Sequence, residues 1–352
     1  ELHLSNTVYV GNSAKGVGTF RQTGGTFVKG ENSHTYVGFS GTGTLEVAGG
    51  TANFPGTYYL SCGHHAGSMG TLISSGGKTD VAGYTDIGRA GRGVFEMKGG
   101  EWTTKYLRMN SGAPTNPPPP QSEIRITGGR LVVTDAMYVP DTTSITGRMT
   151  LAGGVYAVKA FRQHWGKLHV VFDGGTIEVM ANDALFIREL DGYALTGNGL
   201  VVDTAGYTAG TALPLPDAEG EHGRFVKKGA GTFTLSASNT FTGPVVVEAG
   251  ELALGSAGLV TLEGGCEVDG GALLNLSARS LDFTLPSGTV SRVDGELRLA
   301  SGKTLAVANG AALGGTGTVG RVTFASGATL ARRASDGSDL LRVTECVIPE
   351  GA

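Results

Sequence analysis

The stretch KAFRQHWGKLH, residues 159–169, gathers cations, imidazoles and an indole within a short segment where a surrounding strand pattern loosens. A cationic and aromatic cluster of this kind would suit an acidic sugar. The candidate binding residues in it are Arg162, His164, Trp165 and His169. The alternative interpretation is a charged loop with one tryptophan that covers the seam between two kinds of repeat.

Three tyrosines form a second candidate site. Tyr9, Tyr36 and Tyr138 occupy a column between apolar positions such as Val8 and Val10, or Met137 and Val139. Alternation with period 2 then points the tyrosine rings outward, and we expect Tyr9 and Tyr36 to stack on each other. Flat outward rings would provide a glycan platform. The alternative is a cross-strand aromatic ladder that only stabilises a sheet.

Motifs for catalysis and cofactors are weak. GGTGTVG is a formal G-x-G-x-x-G, but no helix follows it and no ribose-binding acid stands about 20 residues further on. Ser75 and Lys78 form a formal S-x-x-K, which needs a helix and instead falls on a Gly-Gly pair. The adjacent His64 and His65 are expected to be solvated surface groups with poor metal geometry. We therefore expect no catalytic residue, no metal and no cofactor.

Charge and hydropathy limit the partners. The 27 basic and 31 acidic residues of this 352-residue chain form no basic stripe, so we expect no nucleic acid. No stretch approaches 18 apolar residues, so we expect no membrane insertion in this segment. Glycine contributes 60 residues, far above the usual ~7%, without the period of collagen. A folded chain that uses glycine for its turns is the remaining class.

The elements that must carry these residues follow a repeat. Gly-Gly pairs begin at positions spaced 25, 27, 23, 29, 25 and 21 residues apart, namely Gly24, Gly49, Gly76, Gly99, Gly128, Gly153 and Gly174. A similar strand precedes each pair, as in GTFRQTGG and GTLEVAGG. Aligning the units gives an apolar column that includes Phe20, Leu45, Leu72 and Ile124. Polar columns alternate with apolar ones, which indicates β-strands with one buried face.

This period predicts an all-β fold, a single-chain parallel β-solenoid with about 25 residues per coil. Glycines mark the corners of each coil. By the same alternation, Trp102 and Cys62 are predicted to be core residues, with Cys62 an inert thiol. The proline-rich excursion NSGAPTNPPPPQS, residues 110–122, is predicted to be a stiff, solvent-facing loop.

Residues 226–254, VKKGAGTFTLSASNTFTGPVVVEAGELAL, contain ten positions that carry a family resemblance: Lys228, Gly229, Gly231, Thr232, Leu235, Ser236, Asn239, Thr240, Thr242 and Gly243. They resemble the passenger-associated transport repeat of autotransporter-type surface proteins. Residues 310–331 resemble the autotransporter-associated β-strand pattern, except that Arg332 and Arg333 follow where that family has proline and glycine.

The resemblance implies an exported protein at the bacterial cell surface or outside the cell. We divide the chain into Gly-Gly corner repeats at 1–180 and a solenoid continuation at 181–352, and we expect it to be part of a longer chain. The predicted function is a non-catalytic stalk or an adhesin-like binding module, with a glycan or a host or neighbouring cell surface as partner. The alternative is a β-helix polysaccharide lyase or glycosidase, which would need grouped outward carboxylates.

Overall fold

The computed structural model describes residues 1–112, 121–138, 146–163, 166–331 and 340–348. These residues contain 33 β-strands and no helix. They divide into two compact units: unit 1 comprises Glu1–Glu178 with Arg188–Tyr193, and unit 2 comprises Val179–Ile187 with Ala194–Ala352.

The strands of the first half are β1 (Leu2–Leu4), β2 (Val8–Val10), β3 (Val17–Lys29), β4 (Thr35–Val37), β5 (Thr42–Phe54), β6 (Tyr59–Cys62), β7 (Met69–Ile87), β8 (Arg92–Met109), β9 (Glu123–Ile126), β10 (Arg130–Tyr138), β11 (Thr146–Leu151), β12 (Val155–Val158), β13 (Phe161–Arg162), β14 (Lys167–Phe172) and β15 (Thr176–Val179). The strands of the second half are β16 (Asp183–Arg188), β17 (Gly192–Leu195), β18 (Leu200–Asp203), β19 (Ala209–Thr211), β20 (Phe225–Lys228), β21 (Thr232–Leu235), β22 (Val245–Val247), β23 (Glu251–Leu254), β24 (Cys266–Val268), β25 (Leu273–Asn275), β26 (Phe283–Leu285), β27 (Val290–Val293), β28 (Glu296–Arg298), β29 (Thr304–Val307), β30 (Ala312–Gly314), β31 (Thr318–Phe324), β32 (Thr329–Ala331) and β33 (Arg342–Val347).

Strand pairing in unit 1 follows the sequence repeat. Leu45 pairs with Phe20 on one side and Leu72 on the other, in parallel ladders, and the file continues through Phe95 to Ile124. Each step along this file has the spacing of the corresponding Gly-Gly pairs. The predicted fold class, a parallel β-solenoid, is therefore confirmed.

Each early coil of unit 1 contributes to three parallel ladders. The first joins the front parts of β3, β5, β7 and β8, and the second joins the ends of β3 and β5 to the middle parts of β7 and β8. The third joins β2, β4 and β6 to the ends of β7, β8 and β10. Inward side chains of all three ladders form the core. Trp102 is fully buried and donates from Nε1 to Thr85 Oγ1 at 3.1 Å, as predicted for a core residue.

Cys62 also lies in the core as predicted. It occupies the inward file of Val37 and Ile87 in the third ladder and is fully buried. Burial raises the pKa of its thiol to about 12, which keeps the sulfur protonated and unreactive.

The Gly-Gly pairs turn one corner of each coil of unit 1. The second glycine of the first six pairs has a positive φ, for example +64° at Gly77, whereas in the last pair the first glycine, Gly174, has it. A Cβ at Gly77 would lie 2.5 Å from the carbonyl oxygen of Gly50 in the preceding coil. Backbone stacked this closely excludes any side chain, so the glycine is required sterically as well as conformationally.

A second corner of unit 1 closes the third ladder. Its positions are Gly11, Gly38, Gly63, Gly88 and Asn110, all with positive φ. From Gly38 onward, each backbone N–H donates to the carbonyl of the residue before the corner in the preceding coil, as Gly88 does to Cys62 and Asn110 does to Ile87. Asn110 thus stands where earlier coils have glycine. Asparagine is among the residues that tolerate this left-handed conformation.

Unit 2 is also a parallel solenoid. One ladder joins β18, β20, β22, β24, β27, β30 and β32, and another joins β19, β21, β23, β25, β28 and β31. Phe233, Leu252, Leu274 and Leu297 form one buried inward file of the second ladder.

Candidate functional site

The outer face of the third ladder in unit 1 carries a continuous set of rings. Two adjacent outward columns contribute to it, because residues two apart on a strand share a face. We call these seven residues the aromatic strip: Tyr9, His34, Tyr36, Tyr59, Tyr84, Tyr106 and Tyr138. The first column runs in register from Tyr9 and Tyr36 through Ser61, Asp86 and Arg108 to Tyr138.

The rings of the strip contact one another along the solenoid. Tyr9 and Tyr36 stack with centroids 5.4 Å apart, as the alternation predicts. Tyr84 and Tyr106 stack at 4.7 Å. In the stacked pairs the ring faces are turned towards rings of the neighbouring coils, which leaves ring edges and hydroxyl groups to solvent, whereas pairs such as Tyr59 and Tyr84 are tilted. This arrangement is that of a cross-strand aromatic ladder, and each such pair adds about 0.5–1.5 kcal/mol beyond its buried area.

Tyr138, the third predicted tyrosine, lies in the same ladder. It pairs with Arg108, and its ring is 5.7 Å from that of Tyr106. The structure therefore brings all three predicted tyrosines onto one face, and Tyr106 links Tyr138 to the rest of the strip.

A buried ion pair lies between the tyrosines. Arg108 Nη2 donates to Asp86 Oδ2 at 3.0 Å, and Ser111 Oγ donates to Asp86 Oδ1 at 2.7 Å. The Arg108 guanidinium also lies 4.3 Å from the Tyr84 ring centroid and 4.5 Å from that of Tyr59. Burial raises the pKa of Asp86, and Arg108 opposes that rise. The fully buried carboxylate is held by partners and is closed to substrate.

His64 differs from its prediction. It was expected on the surface, but it is 8% exposed and its ring stacks on Phe39 at 5.2 Å, whereas His65 is exposed. The corner after Gly63 turns His64 over the aromatic strip, which alternation along a strand does not predict. Burial, aided by the charge of Arg89, lowers the pKa of His64 to about 4.

Ser61, His64 and Asp86 have the residue types of a hydrolytic triad, but their geometry is not that of one. Ser61 Oγ is 3.3 Å from His64 Nδ1, yet Ser61 is fully buried. The Asp86 carboxylate is engaged by Arg108 and Ser111. A triad needs an accessible nucleophile and a carboxylate that orients the imidazole.

The second predicted cluster is described only in part. His164 and Trp165 lie outside the described residues, so their predicted role stays a prediction. His169 is exposed on β14, where it pairs with Arg148, and Arg162 is half-buried at the end of β13. The central part of the proline-rich excursion, residues 113–120, also lies outside the described residues.

Sequence reasoning missed four rings of the strip, namely His34, Tyr59, Tyr84 and Tyr106. Each stands four residues before a corner position with positive φ, which is Gly38, Gly63, Gly88 and Asn110 in turn. Tyr9 and Tyr36 stand two residues before their corners. Counting back four and two residues from each corner position would have predicted both columns of rings.

In unit 2, buried polar side chains add to the corners that glycines turn. Lys227 lies in the inward file between Val202 and Val247 and is fully buried. Its Nζ donates to three backbone carbonyls, those of Lys228 and Gly229 at 2.7 Å and of Ala249 at 3.0 Å. Burial lowers the pKa of Lys227 to about 8.

The lysine assigned to the family pattern was Lys228, but the lysine that enters the coil is Lys227. Lys228 lies at the surface and forms an ion pair with Glu248 at 3.2 Å. The β-strand alternation explains the difference, because Phe225 is inward and the next inward position is therefore Lys227.

Asn239, a position of the family pattern, joins three coils of unit 2. Its Oδ1 accepts from the Leu215 N–H at 3.1 Å, and its Nδ2 donates to the carbonyls of Ala237 and Leu259 at 2.9 Å each. Thr242, another pattern position, donates from Oγ1 to Asp217 Oδ2 at 2.7 Å. These pattern positions therefore fasten the backbone of neighbouring coils.

The fold and these contacts define a parallel β-solenoid whose corners are turned by glycines in both units, and buried polar side chains such as Lys227 and Asn239 bond further corner carbonyls in unit 2. Residues 225–254 match the family model of the Passenger-associated-transport-repeat, which confirms the resemblance seen in the sequence. The repeat and the solenoid together fit an autotransporter passenger domain, and the family implies secretion or surface exposure. No curated protein and no solved structure matched the chain.

The described part of the chain forms no helix long and apolar enough to cross a membrane. Within the same residues, no group of three or more His, Cys, Asp or Glu side chains is placed to hold a metal ion.

Proposed function

We propose that this chain is the exported β-solenoid of an autotransporter-type passenger and that it acts as a non-catalytic structural stalk at the bacterial cell surface. The observation that carries the proposal is the pairing within each unit. Neighbouring coils satisfy one another's backbone hydrogen bonds and bury one another's apolar side chains. Such stacking supports a self-sufficient, protease-resistant element of adjustable length.

The outward acids support a non-catalytic role. A lyase or glycosidase would need free, grouped carboxylates, but Glu46 contacts Arg21 at 2.8 Å, Glu96 contacts Lys98 at 2.6 Å and Glu101 contacts Lys78 at 3.1 Å. A hydrogen bond from Ser75, followed by Arg21, lowers the pKa of Glu46. A lowered pKa suits a surface ion pair and does not suit a general acid.

An adhesin-like binding role is the second candidate, and the aromatic strip favours it. Tyr9 is 45% exposed at one end of the strip, and hydroxyl edges line the rest of it. In this proposal Tyr9, Tyr36 and Tyr138 contact a glycan on a host or neighbouring cell, with Arg162, His164, Trp165 and His169 as a second contact region.

The stalk role is tested by surface display. The chain, with an epitope tag at its N-terminus, is fused between a signal peptide and a translocator domain and expressed in bacteria. We expect the tag to be detected by antibody on intact cells and the chain to resist externally added proteinase K.

A matched pair of substitutions tests whether that protease resistance depends on the solenoid core. Leu72 is fully buried in the inward file, whereas the next residue, Ile73, lies on the outward face. Leu72→Asp should therefore make the displayed chain protease-sensitive, and Ile73→Asp should leave it resistant. Equal resistance of the two variants, or digestion of the unaltered chain, would contradict the proposal.

A further inference from the structure

The second corner of unit 1 carries positive charge on its outer surface. No Asp or Glu stands in its stacked segments, although the whole chain has a formal net charge of -4. These segments are residues 11–16, 38–41, 63–68, 88–92 and 110–112. We call their exposed basic side chains, Lys15, His65 and Arg89, the cationic corner. A surface of one sign favours a ligand of the opposite sign.

Backbone hydrogen bonds hold the segments in register. The N–H of the residue after a corner position donates to the carbonyl of the corner position in the preceding coil, as Arg89 does to Gly63 and His64 does to Gly38. Arg89 therefore follows His64 in one file, and His65 lies in the next file. Because these residues are fixed to paired backbone, less ordering entropy is lost when they bind a ligand.

Arg89 is an exposed cation without a counter-ion. Its guanidinium forms no ion pair and no hydrogen bond with another described residue. Its stem rests on the next coil, since a Cβ at Gly112 would lie 3.1 Å from Arg89 Cγ. Asp86, a carboxylate on which the Arg89 charge acts, is fully buried and is bonded by Arg108 and Ser111. The Arg89 fork is therefore open to a carboxylate from solution.

The charge of Arg89 also reaches the aromatic strip. Burial first, and the Arg89 charge second, lower the pKa of His34 and that of His64. Burial raises the pKa of Tyr36, and Arg89 opposes that rise. The cationic corner and the aromatic strip therefore form one continuous surface.

Aromatic edges lie beside the cations. The exposed His65 ring contacts Phe39 edge-on, with centroids 4.3 Å apart and an angle of 75° between the planes. Phe39 in turn contacts Tyr9 edge-on at 5.0 Å. The surface thus places N–H donors next to apolar ring atoms. A sugar that bears a carboxylate offers the complement of both, because its ring also has C–H groups.

Other ligand classes fit this surface less well. A metal cation is disfavoured by the like charge, and a neutral sugar leaves the Arg89 guanidinium unpaired. Proteins that bind nucleic acid commonly contact about 6–10 phosphates, whereas the cationic corner has three basic side chains. A ligand with few and widely spaced negative charges is therefore favoured.

We propose that the cationic corner binds an acidic saccharide at the edge of the aromatic strip. The Arg89 guanidinium pairs with a carboxylate of the sugar, His65 donates a hydrogen bond from its ring, and the edges of Phe39 and Tyr9 contact C–H groups. The site is separate from residues 159–169, for which an acidic sugar was predicted from the sequence. The proposal rests on the adhesin-like role of the strip and names the ligand class of that role.

The test is titration calorimetry on the full chain at pH 7 with trigalacturonate. Maltotriose is the neutral sugar, triglutamate is a carboxylate ligand without sugar, and a thymidine oligonucleotide is a polyanion of another class. We expect trigalacturonate to bind and each of the others to bind at least about tenfold more weakly, a difference of about 1.4 kcal/mol. Equal binding of any of the three would overturn the proposal, as would no binding of trigalacturonate.

A matched pair of variants locates the site. Arg89→Gln removes an exposed charge and should weaken the binding of trigalacturonate at least about tenfold. Arg298→Gln, at an exposed arginine of unit 2, should bind as the unaltered chain does. Circular dichroism verifies that both variants fold. Unchanged affinity of Arg89→Gln, or an equal loss in Arg298→Gln, would overturn the proposal.

The binding role of the strip and its preference for acidic sugars can fail separately. If maltotriose binds as tightly as trigalacturonate and Arg89→Gln binds both normally, the strip binds sugars and only the acidic-saccharide proposal is wrong. If neither sugar binds, both are wrong. The stalk role is independent of either result, because a stalk without ligand would still be displayed and resist protease.

Discussion

Unit 1 and unit 2 wind in the same way, and in both of them glycines at positive φ let the backbones of successive coils approach closely, as at Gly77 and Gly250. They differ in the contacts that add to these corners. Unit 1 adds stacked rings on its surface, whereas unit 2 adds the Lys227 ammonium and the Asn239 amide, which bond the carbonyls that a corner leaves open.

The difference carries over to the outer surface. Unit 1 stacks rings along its third ladder, so part of its stabilisation lies outside the core. In unit 2 the polar side chains that fasten the coils turn inward, as Lys227 does between two valines. The comparison shows that a solenoid coil can be fixed either from its exterior or from its interior, with separate consequences for substitution.

The largest effect is expected when the Lys227 ammonium, which fastens unit 2 from its interior, is removed. Lys227→Met leaves three carbonyls without their donor and should lower the free energy of unfolding by about 3 kcal/mol, since each unsatisfied buried group costs about 1–3 kcal/mol and relief of the buried charge offsets part of the loss. Hydrogen exchange followed by mass spectrometry should show faster exchange across residues 225–254.

Lys228→Met is the control for that experiment, because Lys228 makes only a surface ion pair with Glu248. Its expected effect is within about 0.5 kcal/mol. If the two variants exchange alike, the interior fastening assigned to Lys227 is wrong.

A swap at the second corner of unit 1 tests the backbone fastening. Gly88 and Asn110 occupy equivalent corner positions with positive φ, but a Cβ at Gly88 would lie 3.0 Å from the Gly91 carbonyl oxygen and 1.9 Å from Ser122 Oγ. Gly88→Asn should therefore lower the free energy of unfolding by about 2 kcal/mol. Asn110→Gly should be tolerated within about 1 kcal/mol.

Thermal unfolding measured by circular dichroism compares the two corner variants. A Gly88→Asn protein as stable as Asn110→Gly would show that close approach of the coils does not require glycine at this corner.

The pH dependence of stability tests the exterior surface of unit 1. The pKa of His64 is about 4 in the folded chain and about 6.5 in an unfolded one, so between these values the unfolded chain binds the extra proton. Stability is complete above about pH 6.5, falls as the pH drops towards 4, and levels off below. We expect a loss on the order of 1–2 kcal/mol from this group.

Urea unfolding at pH 7.5 and pH 4.5 measures that loss. His64→Gln should reduce the difference between the two pH values, and His65→Gln, at the exposed neighbour, should preserve it. If the two variants show the same pH dependence of stability, His64 is not the source of that dependence.

Much of the fold was predictable because two independent periods agree. The Gly-Gly spacing gives the coil length and the apolar alternation gives the register, so Leu45, Leu72 and Ile124 fell into one file as expected. Trp102 and Cys62 were placed in the core by the same alternation.

The candidate site was predictable only where strand alternation applies. Tyr9 and Tyr36 were placed as neighbours, but Tyr59, Tyr84 and Tyr106 form a column that is aligned by distance from the corner. His64 was misplaced because its direction is set by the corner after Gly63 and not by a strand.

Asn239 bonds the backbone of its own coil and of the coils on both sides. A force applied to one end of unit 2 therefore cannot peel away a single turn at this point, since three turns share one amide. Under tension, unfolding should pause there until the hydrogen bonds of the Asn239 amide break. A single buried residue therefore sets a mechanical barrier for about three coils.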